Sequence, residues 1–246
     1  MSDSISIIPL ENLAFAFIPV IIVIGILYKW NLDYKHTLYS LFRMLIQLLL
    51  IGYLLNFIFD SNSSILVLCI LLFMVLVSAW ISLRTINIKP KQLFLFAFTS
   101  IGLGGGVTLF LVTQAVIDLP TWYEPRYLIP LAGMTFANSL TGLSLAVERF
   151  EAEISRGESY ESARKIAYKA SMIPVVNSLL AVGLVSLPGM MTGQILSGVS
   201  PLIAVRYQIM VMCMIFGSSG ISTALFLVFI KGHINKEYTS FKNQDV

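Results

Sequence analysis

The chain has 246 residues, of which 57% are apolar and only 12% are charged, and its mean hydropathy is +0.85. Soluble domains are about 45–50% apolar and about 25% charged, so the surplus of apolar residues has to face lipid. The formal net charge of +3 is small and the basic residues are spread over several loops, which argues against a nucleic-acid partner. The composition therefore indicates a polytopic membrane protein.

Apolar stretches long enough to cross a bilayer recur along the whole chain. A membrane-spanning helix needs about 20 predominantly apolar residues. In chain order the candidates are 10–28, 38–59, 64–83, 93–117, 127–147, 171–188 and 204–230. We therefore predict an all-α fold with about seven transmembrane helices and no separate soluble domain.

The distribution of lysine and arginine predicts the orientation in the membrane, because basic residues in short loops stay on the cytoplasmic side. Thirteen of the 16 basic residues fall on loops of one side, whereas the loops of the other side hold Arg126 and Arg206. We expect the N-terminus outside and the C-terminus in the cytoplasm, as an odd number of spans requires. In a bacterium this multi-pass protein would lie in the inner membrane.

Polar side chains within the predicted spans are mostly amides and hydroxyls. No aspartate or glutamate lies in the middle of a span, although proton relays and sites for bare hard cations normally use buried carboxylates. Hydrogen bonding between helices and flexible packing account for most such amides and methionines. The candidates for a substrate pathway are Met134, Asn138, Gln194, Arg206 and Gln208, and the residues that would bind a metal stay open.

Four glycines interrupt the fourth predicted span: Gly102, Gly104, Gly105 and Gly106. The spacing from Gly102 to Gly106 is the small-xxx-small pattern that lets helix backbones approach closely, so we expect a packing or bending point there. The chain contains no G-x-x-x-x-G-K-[ST] phosphate-binding motif. If transport is driven by ATP, the ATPase is therefore another polypeptide.

The segment 148–170 is the one extended polar connection between two predicted spans. We predict a helix that continues to about Arg156, a break at Gly157, and a second helix with Ser159 as its N-cap and Glu161 in its first turn. Apolar residues recur at helical spacing after Ser159, so this second helix is amphipathic and is expected to lie across the cytoplasmic face. It either rests at the lipid headgroups or docks its apolar stripe into a groove on a soluble partner.

Three stretches carry a resemblance to a known family. They are IPLAGMTFANS at 129–139 with SLAVER at 144–149, LPGMMTGQIL at 187–196, and SPLIAVRYQIM at 200–210. With these blocks, the chain resembles the FetB-like (YbbM-type) membrane subunits of iron-exporting ABC permeases, whose plant relatives are linked to aluminium tolerance. The resemblance covers roughly residues 10–230.

The resemblance implies a single permease domain over 1–246 with a cytoplasmic coupling loop at 148–170. Such a chain is not an enzyme, has no catalytic residues and binds no cofactor itself. It pairs with an ABC ATP-binding subunit, which binds ATP and magnesium, and two permeases join two ATPases in one complex. The substrate implied is iron or another metal, free or complexed, moved outwards.

The coupling loop partly matches E-A-A-x-x-x-G-(x)9-I-x-L-P, the motif by which bacterial importer permeases couple to their ATPase, called here the importer motif. Glu151, Ala152 and Gly157 are in register, but Glu153 replaces the second alanine and Pro174 arrives one helical turn late. The residues expected to contact the ATPase are Glu148, Arg149, Glu151, Ala152, Gly157, Ser159, Glu161, Arg164 and Lys165. Two alternatives stay open: an ATP-independent carrier or channel, and a membrane scaffold subunit that transports nothing.

Overall fold

A computed structural model describes residues 8–60, 63–84 and 91–232. The described chain is helical and contains no β-strand, which confirms the predicted all-α fold. Its helices are α1 (Leu10–Phe15), α2 (Ile18–Lys29), α3 (Tyr34–Phe59), α4 (Ser64–Ser82), α5 (Lys91–Leu111, continued by a π-helical turn, Val112–Val116), α6 (Pro125–Ser155), α7 (Tyr160–Ala181), α8 (Gly189–Leu196) and α9 (Pro201–Phe229).

The helices form two compact units. The first contains α1 to α3, and the second contains α4 to α9 apart from residues 196–198. In the first unit α2 packs against α3, and Asp33 caps α3 by accepting a hydrogen bond from the His36 amide. The apolar side chains of α2 and α3 are mostly exposed. A surface of this composition suits lipid or another membrane subunit rather than water.

In the second unit α6 is the central helix and packs against α4, α5, α7 and α9. Helices α6 and α9 run in the same direction. Tyr127 and Tyr207 near their first turns line one cavity, and Gly142 in the middle of α6 faces Ser219 of α9. Because α7 follows α6 through a tight turn, it runs antiparallel to both helices.

Glycines of α5 permit its close approach to α9 and α6. A Cβ atom at Gly104 would lie 2.5 Å from Oγ and 2.7 Å from the backbone nitrogen of Ser222 on α9. A Cβ atom at Gly105 would lie 2.9 Å from the ring of Phe136 on α6. Close packing at the predicted glycine cluster is thus confirmed.

Gly102 and Gly106, the pair with the small-xxx-small spacing, do not make this close approach. A Cβ atom at Gly102 would make an ordinary 3.7 Å contact with Val75, and one at Gly106 would meet nothing within 4 Å. Residues 102 and 106 lie one turn apart on one face of α5, whereas the face turned toward α9 carries Gly104. The spacing alone does not show which face meets a neighbour.

Six segments of the described chain are long and apolar enough to cross a membrane, which confirms a polytopic membrane protein. They are Glu11–Lys29, Tyr34–Phe59, Ser64–Ser82, Leu93–Val116, Pro125–Ser155 and Pro201–Phe229. The sixth predicted span, 171–188, is not a separate helix. Helix α7 begins at the polar residues after Ser159 and ends at Ala181, so its apolar part is too short to cross a bilayer.

The return pass from the end of α6 to the start of α9 is therefore broken into α7, a turn and α8. The turn makes its own backbone hydrogen bonds: the Gly183 amide donates to the Ser186 carbonyl at 3.0 Å, and the Val185 amide donates to the Ala181 carbonyl at 2.8 Å. Such pairing is required where water is scarce. The sidedness of the termini and the description of 1–246 as one domain stay predictions.

Candidate functional site

The second unit has two distinct ends. The first, called here the hairpin end, contains the α6–α7 hairpin formed by residues 148–170. Helix α6 has 31 residues and no charged residue between Arg126 and Glu148. At 1.5 Å per residue it is about 46 Å long, which exceeds the roughly 30 Å hydrocarbon layer. The charged last two turns of α6 therefore extend beyond the lipid core.

The turn of the hairpin has the structure expected from its sequence. Helix α6 ends at Ser155, and Gly157 has a φ of 87°, a conformation that favours glycine. The Gly157 amide donates to the Ile154 carbonyl and the Glu158 amide donates to the Glu153 carbonyl, which is the Schellman arrangement. The Ser159 side chain accepts a hydrogen bond from the Ser162 amide. The predicted break at Gly157 and N-cap at Ser159 are confirmed.

The predicted surface helix after Ser159 is not a separate element lying across the membrane face. The stripe that is buried consists of the small residues Ala163, Ala167 and Ser171, followed by Val175. Helix α7 packs this stripe against α6 and α9. Of the predicted apolar positions, Ala163 and Ala167 belong to the buried stripe, so the chain itself covers them, whereas Tyr160, Ile166 and Ala170 are half-buried. Docking of this segment to a partner stays a prediction.

Glu153 is the buried charge of the hairpin. Its side chain is 6% exposed, and its Oε1 atom lies 2.7 Å from Arg149 and 2.8 Å from Arg156. Charge-assisted bonds of this kind offset the cost of burying the carboxylate. We call this group the Glu153 clamp. In the sequence Glu153 is a departure from the importer motif, and the arginines at i−4 and i+3 are the signal that indicates a helical ion-pair cluster there.

Tyr160 joins the start of α7 to the end of α9. Its hydroxyl donates to the Leu227 carbonyl, and its ring lies 5.7 Å from the ring of Phe150 on α6. The Arg164 guanidinium and the Lys231 ammonium lie 5.7 Å and 5.4 Å from the ring centroid. Desolvation by burial raises the pKa of Tyr160, so its hydroxyl stays protonated and remains a donor.

Glu161 adds a second tie between α7 and the end of α9. Its carboxylate lies 2.6 Å from Arg164 and 3.0 Å from Lys231. The hydrogen bond from Lys231 is the main cause of its lowered pKa, with Arg164 and Lys165 acting in the same direction. Two of the expected ATPase contacts, Glu161 and Arg164, are thus engaged within the chain.

The other expected coupling residues differ in exposure. Glu148 and Lys165 are exposed, as are Gly157 and Ser159 in the turn, whereas Glu151 and Ala152 are half-buried. Arg149 is 44% exposed despite its ion pair. The surface that a soluble partner could reach is therefore the charged outer side of the hairpin.

A cavity of about 380 Å³ lies at the opposite end of the second unit, which is called the cavity end. The cavity lies among the first turns of α6, helix α8 and the first turns of α9. Its lining residues are Ile117, Arg126, Tyr127, Pro130, Leu131, Met190, Gln194, Val199, Ile203, Tyr207 and Met210. Gln194 is the one predicted pathway residue in this set, and sequence reasoning did not select Arg126.

The remaining pathway candidates lie elsewhere. Met134 and Asn138 are half-buried on α6, where the Asn138 side chain donates to the Met134 carbonyl at 2.8 Å. Gln208 is buried, and its side-chain oxygen has no hydrogen-bond partner among the described residues. Arg206 is exposed on α9. The structure therefore does not bring the five candidates together in one cavity.

The described residues include no group of three or more histidine, cysteine, aspartate or glutamate side chains that could hold a metal ion. The cysteines Cys69 and Cys213 are both exposed and unpaired by disulfide.

Comparison with known proteins gives a family. The family described as "Uncharacterised protein family (UPF0014)" matches residues 10–234. A membrane protein of this family from Synechocystis is 37% identical over 74% of this chain and 76% of its own length. The "Probable iron export permease protein FetB" of Escherichia coli is 33% identical over 87% of this chain and 88% of its own.

A plant protein is similar as well. The "Protein ALUMINUM SENSITIVE 3" of Arabidopsis thaliana is 33% identical over 85% of this chain and 81% of its own length. No solved structure matches the chain. Because these matches cover most of the chain, it is a membrane protein of the UPF0014 family.

Proposed function

We propose that the chain is the membrane-spanning permease subunit of an ATP-driven ABC transporter that exports iron or another metal, free or complexed. Two copies would join two separate ATPase subunits, which supply the sites for ATP and magnesium. In a bacterium the complex would lie in the inner membrane. The chain itself would catalyse no bond chemistry.

The observation that carries this proposal is the rigid α6–α7 hairpin beyond the lipid core. The Glu153 clamp stiffens the end of α6, and the buried stripe of α7 holds α7 against α6 and α9. A force applied to the hairpin would therefore move whole helices rather than a loose loop. Rigid elements of this kind transmit conformational change in allosteric proteins.

The contacts of Tyr160 and Glu161 with the end of α9 would transmit a movement of the hairpin to α9. Closure of two ATPase subunits around ATP would displace the hairpin and, through these contacts, α9. Both α6 and α9 begin at the cavity, so their displacement would change access to it. The similarity to the probable iron export permease of E. coli supports metal export as the function of this movement.

The proposal is tested with the purified chain and a candidate ATPase in proteoliposomes. The measurements are co-purification, stimulation of ATP hydrolysis and ATP-driven movement of labelled iron. Reversing two exposed charges with Glu158→Lys and Lys165→Glu changes the outer side of the hairpin without removing its buried stripe. Deletion of 158–168 is less informative, because it would remove the buried residues Ala163 and Ala167.

We expect the double charge reversal to weaken association and ATPase stimulation by about tenfold, the equivalent of about 1.4 kcal/mol. The matched control is Lys29→Glu in the last turn of α2, a charge reversal in the other unit, which should leave both unchanged. Transport without any ATPase would favour a carrier or channel. Association with ATPase but no ATP-driven transport of any metal form would favour a scaffold.

A further inference from the structure

The cavity at the end opposite the hairpin contains one charged residue among its lining residues, Arg126. No carboxylate of the described chain lines it. An arginine side chain carries a positive charge and five N–H donors. The side chain of Arg126 is exposed and has no ion pair or hydrogen bond with the described residues, so its charge is available to a ligand.

The polar groups around Arg126 also favour an anion. Gln194 lines the cavity, and its side-chain oxygen is buried without a hydrogen-bond partner in the described part of the chain. A glutamine amide can turn to present its NH₂ group instead. Tyr127 and Tyr207 line the same cavity and carry hydroxyl donors. Four side chains that carry hydrogen-bond donors thus line one space.

The backbone at this cavity also favours the binding of an anion. Helices α6 and α9 both begin at this cavity, at Pro125 and Pro201, and neither has a side-chain N-cap hydrogen bond. The positive ends of their dipoles therefore add to the charge of Arg126. The acidic residues nearest in sequence, Asp118 and Glu124, are not among the lining residues.

We infer that this cavity binds an anionic ligand, and that a metal cargo enters it as a negatively charged complex rather than as a bare cation. This inference rests on the proposed function for the identity of the cargo. A bare iron ion needs anionic or neutral oxygen ligands to replace its water, and a fixed guanidinium repels it. The carboxylate groups of a chelate would instead pair with the guanidinium in a bidentate manner.

The size and remaining surface of the cavity fit such a complex. A volume of about 380 Å³ lies within the usual range of small-molecule sites, roughly 300–1,000 Å³. The apolar walls include Met190, Met210 and Ile203, which would cover the organic part of a chelate. The ligand class is therefore a small polycarboxylate or similar oxyanion, with or without metal.

The test is equilibrium binding to the purified full-length chain in detergent, without ATPase. The probes are iron(III) citrate as a net-negative complex, citrate alone, and iron(II) without a chelator under anaerobic conditions. The variants are Arg126→Gln, Arg126→Lys and Gln194→Ala. Lys29→Gln is the matched control, because it removes one positive charge from the other unit. The elution profile and unfolding temperature of each variant show whether it has folded.

We expect wild type and Lys29→Gln to bind iron(III) citrate equally, and citrate alone to compete. Arg126→Gln should weaken binding about tenfold or more, as for loss of a charge-assisted hydrogen bond. Arg126→Lys keeps the charge but loses the bidentate geometry, so it should weaken binding by a smaller factor than Arg126→Gln. Gln194→Ala should weaken binding by a smaller factor. Equal binding by wild type and a folded Arg126→Gln variant would overturn the inference, as would preferred binding of chelator-free iron(II) that strengthens in Arg126→Gln.

This experiment separates the inference from the proposed function. Binding that depends on Arg126, in a chain that never stimulates an ATPase, would support the anion site and contradict the ATP-driven transporter. ATP-driven transport of chelator-free iron(II) that is unaffected by Arg126→Gln would support the transporter and contradict the anion site.

Discussion

Glu153 is the residue whose role changes most between sequence and structure. In the sequence it departs from the importer motif, and in the fold it lies buried between Arg149 and Arg156 at the end of α6. A buried carboxylate is stable only when charge-assisted bonds compensate its desolvation. The departure from the motif therefore supplies a local clamp in the hairpin.

We expect Glu153→Gln to lower the free energy of unfolding by about 1.5–3 kcal/mol, because an amide replaces two charge-assisted bonds with weaker ones and presents its NH₂ group to an arginine. Chemical unfolding in detergent measures the change. Glu148→Gln is the control on the same helix. Its side chain is exposed, so a change within about 0.5 kcal/mol is expected. An equal loss in both variants would contradict the clamp.

Arg126 and Gln194 illustrate the limit of residue-level prediction. Gln194 was selected from its chemistry alone and does line the cavity, but Arg126 was considered only as evidence of sidedness. The two residues are 68 positions apart in the sequence, yet they line the same cavity. No local pattern in the sequence indicates that they do.

Among the elements, α5 shows how helix packing depends on the face that a glycine occupies. Gly104 allows α5 to approach the Ser222 backbone on α9, whereas Gly106 on the same helix faces open space. Glycine content and spacing predicted close packing somewhere on this helix. The arrangement of α6 and α9 around it determined which glycine is required.

We predict that Gly104→Ala destabilises the second unit by about 1–3 kcal/mol, since the added methyl group would overlap Ser222 on α9. Gly106→Ala is the control two residues away on the same helix. It should be neutral or stabilising by up to about 1 kcal/mol, because alanine restricts the unfolded chain without meeting any neighbour. Unfolding of both variants in detergent measures the difference, and equal destabilisation would contradict the packing described here.

Helix α7 is the element that hydropathy predicted least well. Its polar first half and apolar second half were assigned to two elements, but they form one continuous helix from Tyr160 to Ala181. Small residues on one face allow it to pack against α6 and α9 from Ala163 to Val175. Hydropathy averages over all faces of a helix and so misses a buried stripe of alanine and serine.

On the scale of the whole molecule, the α6–α7 hairpin and the cavity lie at opposite ends of the second unit. The basic residues of the sequence predict that the hairpin is cytoplasmic and the cavity faces outward. If so, ATP binding would move the hairpin at the cytoplasmic face, and the helices that join it to the cavity would act on a ligand at the outer face. The sidedness of these two ends is directly measurable.

We predict that a membrane-impermeant maleimide applied to intact spheroplasts labels Ser200→Cys, beside the cavity, but not Glu158→Cys in the hairpin. Permeabilisation should make both sites reactive. The background would carry Cys69→Ser and Cys213→Ser, because both native cysteines are exposed. Labelling of Glu158→Cys in intact spheroplasts would reverse the predicted orientation.

The sequence by itself determined that the chain is helical and membrane-embedded, and that its polar hairpin turns at Gly157 after a charged helix end. These properties follow from composition, local periodicity and capping chemistry, which act between residues close in the chain. Only the tertiary structure decided that the α7 stripe is buried, that the sixth predicted span is broken, and that Arg126 and Gln194 share a cavity. Each of these depends on which helix faces lie against one another, and that is set by packing between residues far apart in the sequence.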